Sequence, residues 1–111
     1  MRPETRQALA DARASALEAV GLAGLNWAED RTRALAIERL LMIVGEALVR
    51  IRGLEPEALE SVSDAHRFIG MQNVLVHGYD ALDPARIGEA IRTNIPGMIE
   101  EIDRLLGDRL S

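Results

Sequence analysis

The sequence has no cysteine, no lysine and only three aromatic residues, Trp27, Phe68 and Tyr79. Without cysteine there are no disulfides, no thiolate metal sites and no cysteine nucleophile. That fits a reducing compartment. No apolar run is long enough for a signal peptide or a membrane span. The chain is therefore expected in the cytoplasm, with no membrane partner. An excess of basic charge is also missing. The net charge is −5, and every basic residue is arginine, as a GC-rich genome would produce. Proteins that coat DNA bind mainly by neutralising phosphates and are basic. Any nucleic-acid contact here must use a local arginine cluster within an acidic surface.

Several chemical motifs are lacking too. There is no phosphate-loop or dinucleotide glycine pattern and no Gly-x-Ser-x-Gly elbow. His66 and His77 fall three turns apart on one expected helix, about 16 Å along its axis. They cannot share a metal ion within one chain, so no metal site is expected. The carboxylates are dispersed, as on solvated faces.

What remains is a chain of 111 residues, 48% apolar and 28% charged. This suits one globular domain, residues 1–111. Its periodicity predicts four main helices. The first runs from about Glu4 to Val20, behind Pro3, and ends at Gly21 and Gly24. Its apolar stripe is weak and Ala-rich. The second starts at "NWAE", where Asn26 and Glu29 fit a capping box, and runs to about Ile51, before Gly53. Ile37, Leu40, Leu41, Val44, Leu48 and Ile51 form its main apolar face. Leu35, Met42 and Val49 make a second strip, and Ala36, Ile43 and Ala47 a third. Only Arg39, Glu46 and Arg50 make a polar stripe. A helix apolar nearly all round is buried on more than one side. A second copy of the chain is the economical cover. The alternative is a helix central to its own bundle.

The third helix is expected from Ser63 or Asp64 to Gly78. Ala65, Phe68, Ile69, Leu75 and Val76 share a face, and Gln72 interrupts it. Asp83 and Pro84 open the fourth helix. Its stripe is Ile87, Ile91, Ile95, Met98, Ile102 and Leu105, and Pro96 should kink or split it. No strand pattern is present. The fold class predicted is an all-α, up-and-down bundle of four main helices.

The stretch "GMQNVLVHGYD" carries the candidate chemistry. His77 stands at a helix end, where unpaired carbonyls and the negative dipole end favour a protonated ring. An imidazole there can cap the helix or move protons.

At these residues the sequence resembles a known family. "FIGMQNVLVHGYDALDPARI" resembles the segment of HepT-like proteins, the DUF86 branch of the HEPN superfamily, that reads Arg-Asn-x-x-x-His-x-Tyr. "RALAIERLLMIVGEAL" resembles that family's long second helix, and "IRTNIPGMIEEI" its last helix with an internal proline. The resemblance spans nearly the whole chain. It implies a small all-α HEPN-like homodimer. It implies a metal-independent endoribonuclease, without cofactor, acting on RNA at a composite site in the dimer cleft. It implies the toxin role of a toxin–antitoxin pair whose antitoxin is a small MNT-type nucleotidyltransferase. His77 matches the catalytic histidine and Asn73 the polar residue after the family's arginine. Tyr79 matches the tyrosine that can accept AMP from the antitoxin. The arginine position is Gln72.

That departure matters. Arginine brings a permanent cation with bidentate donors, whereas glutamine brings two donors and no charge. Arg67, five residues earlier, should point away from Gln72. Arg39 and Arg50 are the compensating candidates, reaching His77 of a second copy. Glu46 of the same stripe can orient either arginine or Gln72, but is first expected to pair with Arg50, at i,i+4. Three readings follow: a ribonuclease toxin, a member inactivated at Gln72, and a helical module presenting Tyr79 to a nucleotidyltransferase.

Overall fold

The computed structural model describes residues 1–77 and 83–107, and every described element is helical. α1 spans Pro3–Leu22, α2 Arg31–Leu54, α3 Pro56–Leu59, α4 Ala65–Val76, α5 Pro84–Glu89 and α6 Ile95–Gly107. A single 3₁₀ turn, Trp27–Glu29, precedes α2, and a π-turn, Ala90–Asn94, joins α5 to α6. The four long segments run up and down, as the apolar periodicity predicts. Among the described residues no helix is long and apolar enough to cross a membrane.

α2 is the spine. Ile37, Leu40, Leu41, Val44, Leu48 and Ile51 are all buried, as their spacing requires. α1 covers one side with a ridge of small residues, Ala8, Ala12, Ala16 and Ala19, all buried around Leu9. Alanine gives α1 little amphipathic contrast, but it lets two helix backbones approach closely. α4 covers another side through Phe68. Met98 and Ile102 of α6 complete the core. Each large side chain so buried contributes about 1.5–3 kcal/mol by leaving water. α6 closes the bundle against α1, where Arg13 Nε meets Asp103 at 2.6 Å and Arg6 donates to the Leu106 carbonyl at 3.0 Å.

Helix limits depart from the expected ones in three places, the first being α1, which runs through Gly21 to Leu22. Asn26 does not cap α2. It adopts a left-handed conformation, φ 61°, before the 3₁₀ turn, and Asp30 is the cap, accepting from the Arg33 amide at 3.2 Å. Asparagine tolerates that conformation better than most residues, so one residue type served two different local signals. Gly53 does not end α2. The helix continues to Leu54 and stops because Pro56 forces Glu55 out of the helical region, to φ −157°. α4 ends at Val76, with His77 at the cap; the expected stop, Gly78, lies outside the described residues. At Asp83 the expectation holds, since its carboxylate accepts from the Ala85 amide at 2.9 Å. Pro96 also acts as expected, because the helix containing it widens into the π-turn just before it.

Glu55 ties the end of α2 to the start of α1. Its carboxylate accepts from the Arg2 amide and from the Thr5 hydroxyl, each at 2.9 Å. The Arg2 amide bond first, then the Thr5 bond, holds the Glu55 carboxyl below its ordinary pKa. A carboxyl lowered by folding stabilises the fold above its unfolded pKa and loses that contribution as pH falls through the lowered value. Acid denaturation of the native chain should therefore show a component that Glu55→Gln flattens. Equilibrium unfolding as a function of pH, from neutral to below the usual carboxylate range, checks this. Identical pH profiles for the two proteins would contradict it.

Candidate active site

The C-terminal half of α4 lies across α2, and Gly45 sets the crossing. Gly45 is buried, and Gln72 rests directly on it. A Cβ built on Gly45 would collide with the Gln72 Cβ. It would also lie 2.7 Å from the Phe68 carbonyl oxygen and 3.0 Å from the Gln72 Cγ. The odd amide in the apolar face of α4 thus has its stem wedged into a notch on α2, and Gln72 is half-buried. Glu46 follows Gly45 and is exposed. A glycine inside a helix costs about 1 kcal/mol relative to alanine, which signals a close packing contact. That signal stands in "IVGEAL", and the sequence reading passed over it.

Gly45→Ala should therefore destabilise the protein by about 1–3 kcal/mol, as overpacking does, despite the gain in helix propensity. Gly70 provides the control. It is exposed in α4 and an added Cβ meets nothing within 4 Å. Gly70→Ala should stabilise by about 0.5–1 kcal/mol. Denaturant midpoints of the two variants should move in opposite directions.

His77 caps α4 and is exposed. Its backbone amide donates to the Asn73 carbonyl at 3.1 Å, and its ring Nδ1 meets the same oxygen at 2.7 Å. A carbonyl only accepts, so Nδ1 carries the proton. In that tautomer Nε2 is the basic nitrogen of the imidazole, the atom through which a general base acts. Asn73 contributes to this arrangement through its backbone. Its side chain is exposed on the same face, one turn before His77. Tyr79 lies outside the described residues.

The polar stripe of α2 is paired differently from the i,i+4 expectation. Glu46 meets Arg39 at 3.9 Å, two turns earlier, and not Arg50. Arg50 turns to α1 and meets Asp11 at 3.6 Å. Asp11 competes for Arg50 from a neighbouring helix, which local spacing cannot reveal. Arg67 pairs with Asp64 at 3.8 Å, at the opposite end of α4 from His77. Within one chain, then, the structure brings Gln72 against Gly45 of α2, and His77 onto Asn73. The ion pairs of Arg39 and Arg50 run along α2 and to α1.

A family model described as "Ribonuclease HepT-like" matches residues 10–105. The chain belongs to the HepT-like ribonuclease family. The match includes α2, the Gly45 notch, Gln72, Asn73, His77 and the π-turn, so the crossing and the helix end are parts of a HepT-like domain. The resemblance drawn from "FIGMQNVLVHGYDALDPARI" is thereby confirmed at the level of the family, and so is the helical HEPN fold. Searches of curated proteins and of solved structures each returned no match.

Proposed function

We propose that this HepT-like protein is an endoribonuclease that needs no metal ion, acting as the toxin of a toxin–antitoxin pair. The observation that carries the reading is the His77 ring, held at an exposed helix end by Nδ1 on the Asn73 carbonyl, within the segment that resembles the family's His-x-Tyr motif. RNA supplies its own nucleophile, the 2′-hydroxyl. His77 takes that proton, and a second His77 protonates the departing 5′-oxygen. Two histidines require two chains, so the working unit is a homodimer with the site in its cleft. Met42 and Val49 of the apolar strip support a dimer, because one chain covers them only in part, while Leu35 turns to a surface cavity. Asn73 and Gln72 contact the phosphate or ribose. Arg39, Glu46 and Arg50 support the site across the cleft. The antitoxin is an MNT-type nucleotidyltransferase, and Tyr79 is the residue to which it adds AMP.

The test is incubation of the purified protein with a structured RNA, with and without chelator, and mass analysis of the fragment ends. Attack by the 2′-hydroxyl gives 2′,3′-cyclic phosphate and 5′-hydroxyl ends. Those ends, formed equally in chelator, support the reading. Cleavage abolished by chelator, or 5′-phosphate ends, would overturn it.

Gln72 favours a second reading, in which cleavage is weak or lost and the protein persists as a dimeric partner and AMP acceptor. Without the arginine, the phosphate meets no cation at this position. A tyrosine peptide carrying an added AMP mass, in a protein that leaves RNA intact, is the result this reading expects.

A further inference from the structure

A cavity of about 400 Å³ opens between the start of α2 and the first turn of α5, away from the Gly45 notch. Trp27, Leu35, Pro84 and Ile87 form its apolar walls, and Arg31, Glu29 and Glu38 stand around it. Trp27 is the chain's single tryptophan and is half-buried. Its ring is seated by Gly88 of α5, where an added Cβ would lie 3.9 Å from the Trp27 Cζ2 and 3.2 Å from an Arg92 guanidinium nitrogen. The indole thus lies beside Gly88 of α5 while still lining the cavity.

We infer that this cavity binds a nucleobase of the RNA substrate, stacked on Trp27, with Glu38 accepting hydrogen bonds from the base edge. The inference rests on the ribonuclease reading above and names a subsite for it. The size suits a nucleoside-scale ligand. An indole face is a sequence-tolerant platform for bases, and unpaired RNA is commonly held by such stacking. Carboxylates accept from the amino groups of adenine, cytosine and guanine, whereas uracil offers one N–H flanked by two carbonyls. Arg31 supplies the cation for an adjoining phosphate. The three charged groups around the cavity also argue against a second copy as its cover, because interface cores are depleted of charge. Pro84 lies seven residues after His77, so the cavity mouth is within about 25 Å of the catalytic ring along the chain. A single strand of a few nucleotides spans that interval.

Because Trp27 is the single tryptophan, its emission reads the cavity directly. The experiment is titration of the full chain with the four ribonucleoside 5′-monophosphates, alongside RNA cleavage by the same preparation. Saturable quenching is expected, with AMP, CMP and GMP binding about tenfold tighter than UMP, the worth of one hydrogen bond to a charged group. Glu38→Ala, at a half-exposed site, should remove that preference while retaining the quenching. No saturable quenching at millimolar nucleotide would overturn the assignment. So would emission that shifts with protein concentration, in step with dimer formation, and ignores nucleotides; a second copy then covers the cavity. Cleavage without quenching sinks the subsite and leaves the ribonuclease reading standing. Quenching without cleavage does the reverse.

Discussion

His77→Ala is expected to lower RNA cleavage by about 10²–10⁴-fold, the usual worth of a positioned general acid or base. The variant is informative because the backbone bond that closes the helix end does not need the ring. His77 is exposed, and the Asn73 carbonyl that holds its Nδ1 also accepts the His77 backbone amide. Alanine keeps that amide, so the helix end stays closed. Stability should fall by about 0.5–1.5 kcal/mol, the net worth of the side-chain hydrogen bond given up. Rates are to be read by single-turnover cleavage and stability by denaturant unfolding of the same preparations. A variant that cleaves like the parent would remove His77 from the mechanism. If the dimer uses one His77 as acid and the other as base, mixed dimers carrying one alanine should be as defective as the double variant, which subunit mixing can measure.

Gln72→Arg is the second large expected effect. Adding a cation at the scissile phosphate should raise the cleavage rate by about 10²–10³-fold, the amount lost when one transition-state donor is removed elsewhere. The notch at Gly45 explains why arginine fits. Gln72 enters the crossing through its Cβ and Cγ, which arginine shares. The longer arginine side chain then carries its guanidinium beyond the crossing, on the half-exposed side of the residue. Little repacking is needed, so the denaturant midpoint should hardly move while the rate rises. Equal rates for parent and variant would mean that the missing charge is not what limits this protein. Arg39 would then be the group to test next, since its pair with Glu46 is loose, at 3.9 Å between exposed side chains, and leaves it able to turn elsewhere.

The sequence made the helices legible wherever apolar spacing was strong. α2 and α6 declare their buried faces residue by residue. α1 hides its packing because alanine contributes little apolar contrast, although Ala12, Ala16 and Ala19 are fully buried. Caps were less legible, because Asn26 and Asp30 are both plausible N-caps four residues apart. The choice falls to Asp30 because Asn26 takes a left-handed conformation ahead of the 3₁₀ turn, which its residue type alone does not announce. The site showed the same division. His77 at a helix end, and Gln72 in an apolar face, followed from local pattern and from the family's motif. That Gln72 sits on Gly45, that Asn73 works through its carbonyl, and that Arg50 belongs to Asp11 are tertiary facts. Nearest-neighbour spacing contains none of them.

The π-turn at Ala90–Asn94 has a consequence for how the chain tolerates changes in length. A π-turn is an α-helix holding one surplus residue, so α5 and α6 keep their buried faces on either side of it. Deleting a residue elsewhere in a long helix rotates everything beyond it by about 100° and turns its apolar stripe out of the core. Deleting exposed Thr93 would instead close the turn into regular helix with both stripes still facing inward. The obstacle is Pro96, whose ring crowds the carbonyl four residues back in a regular helix. Thr93 deletion combined with Pro96→Ala should thus be the mildest single-residue shortening of any long helix in the bundle, at the cost of moving Asn94 relative to Asp64, to which it donates at 3.0 Å.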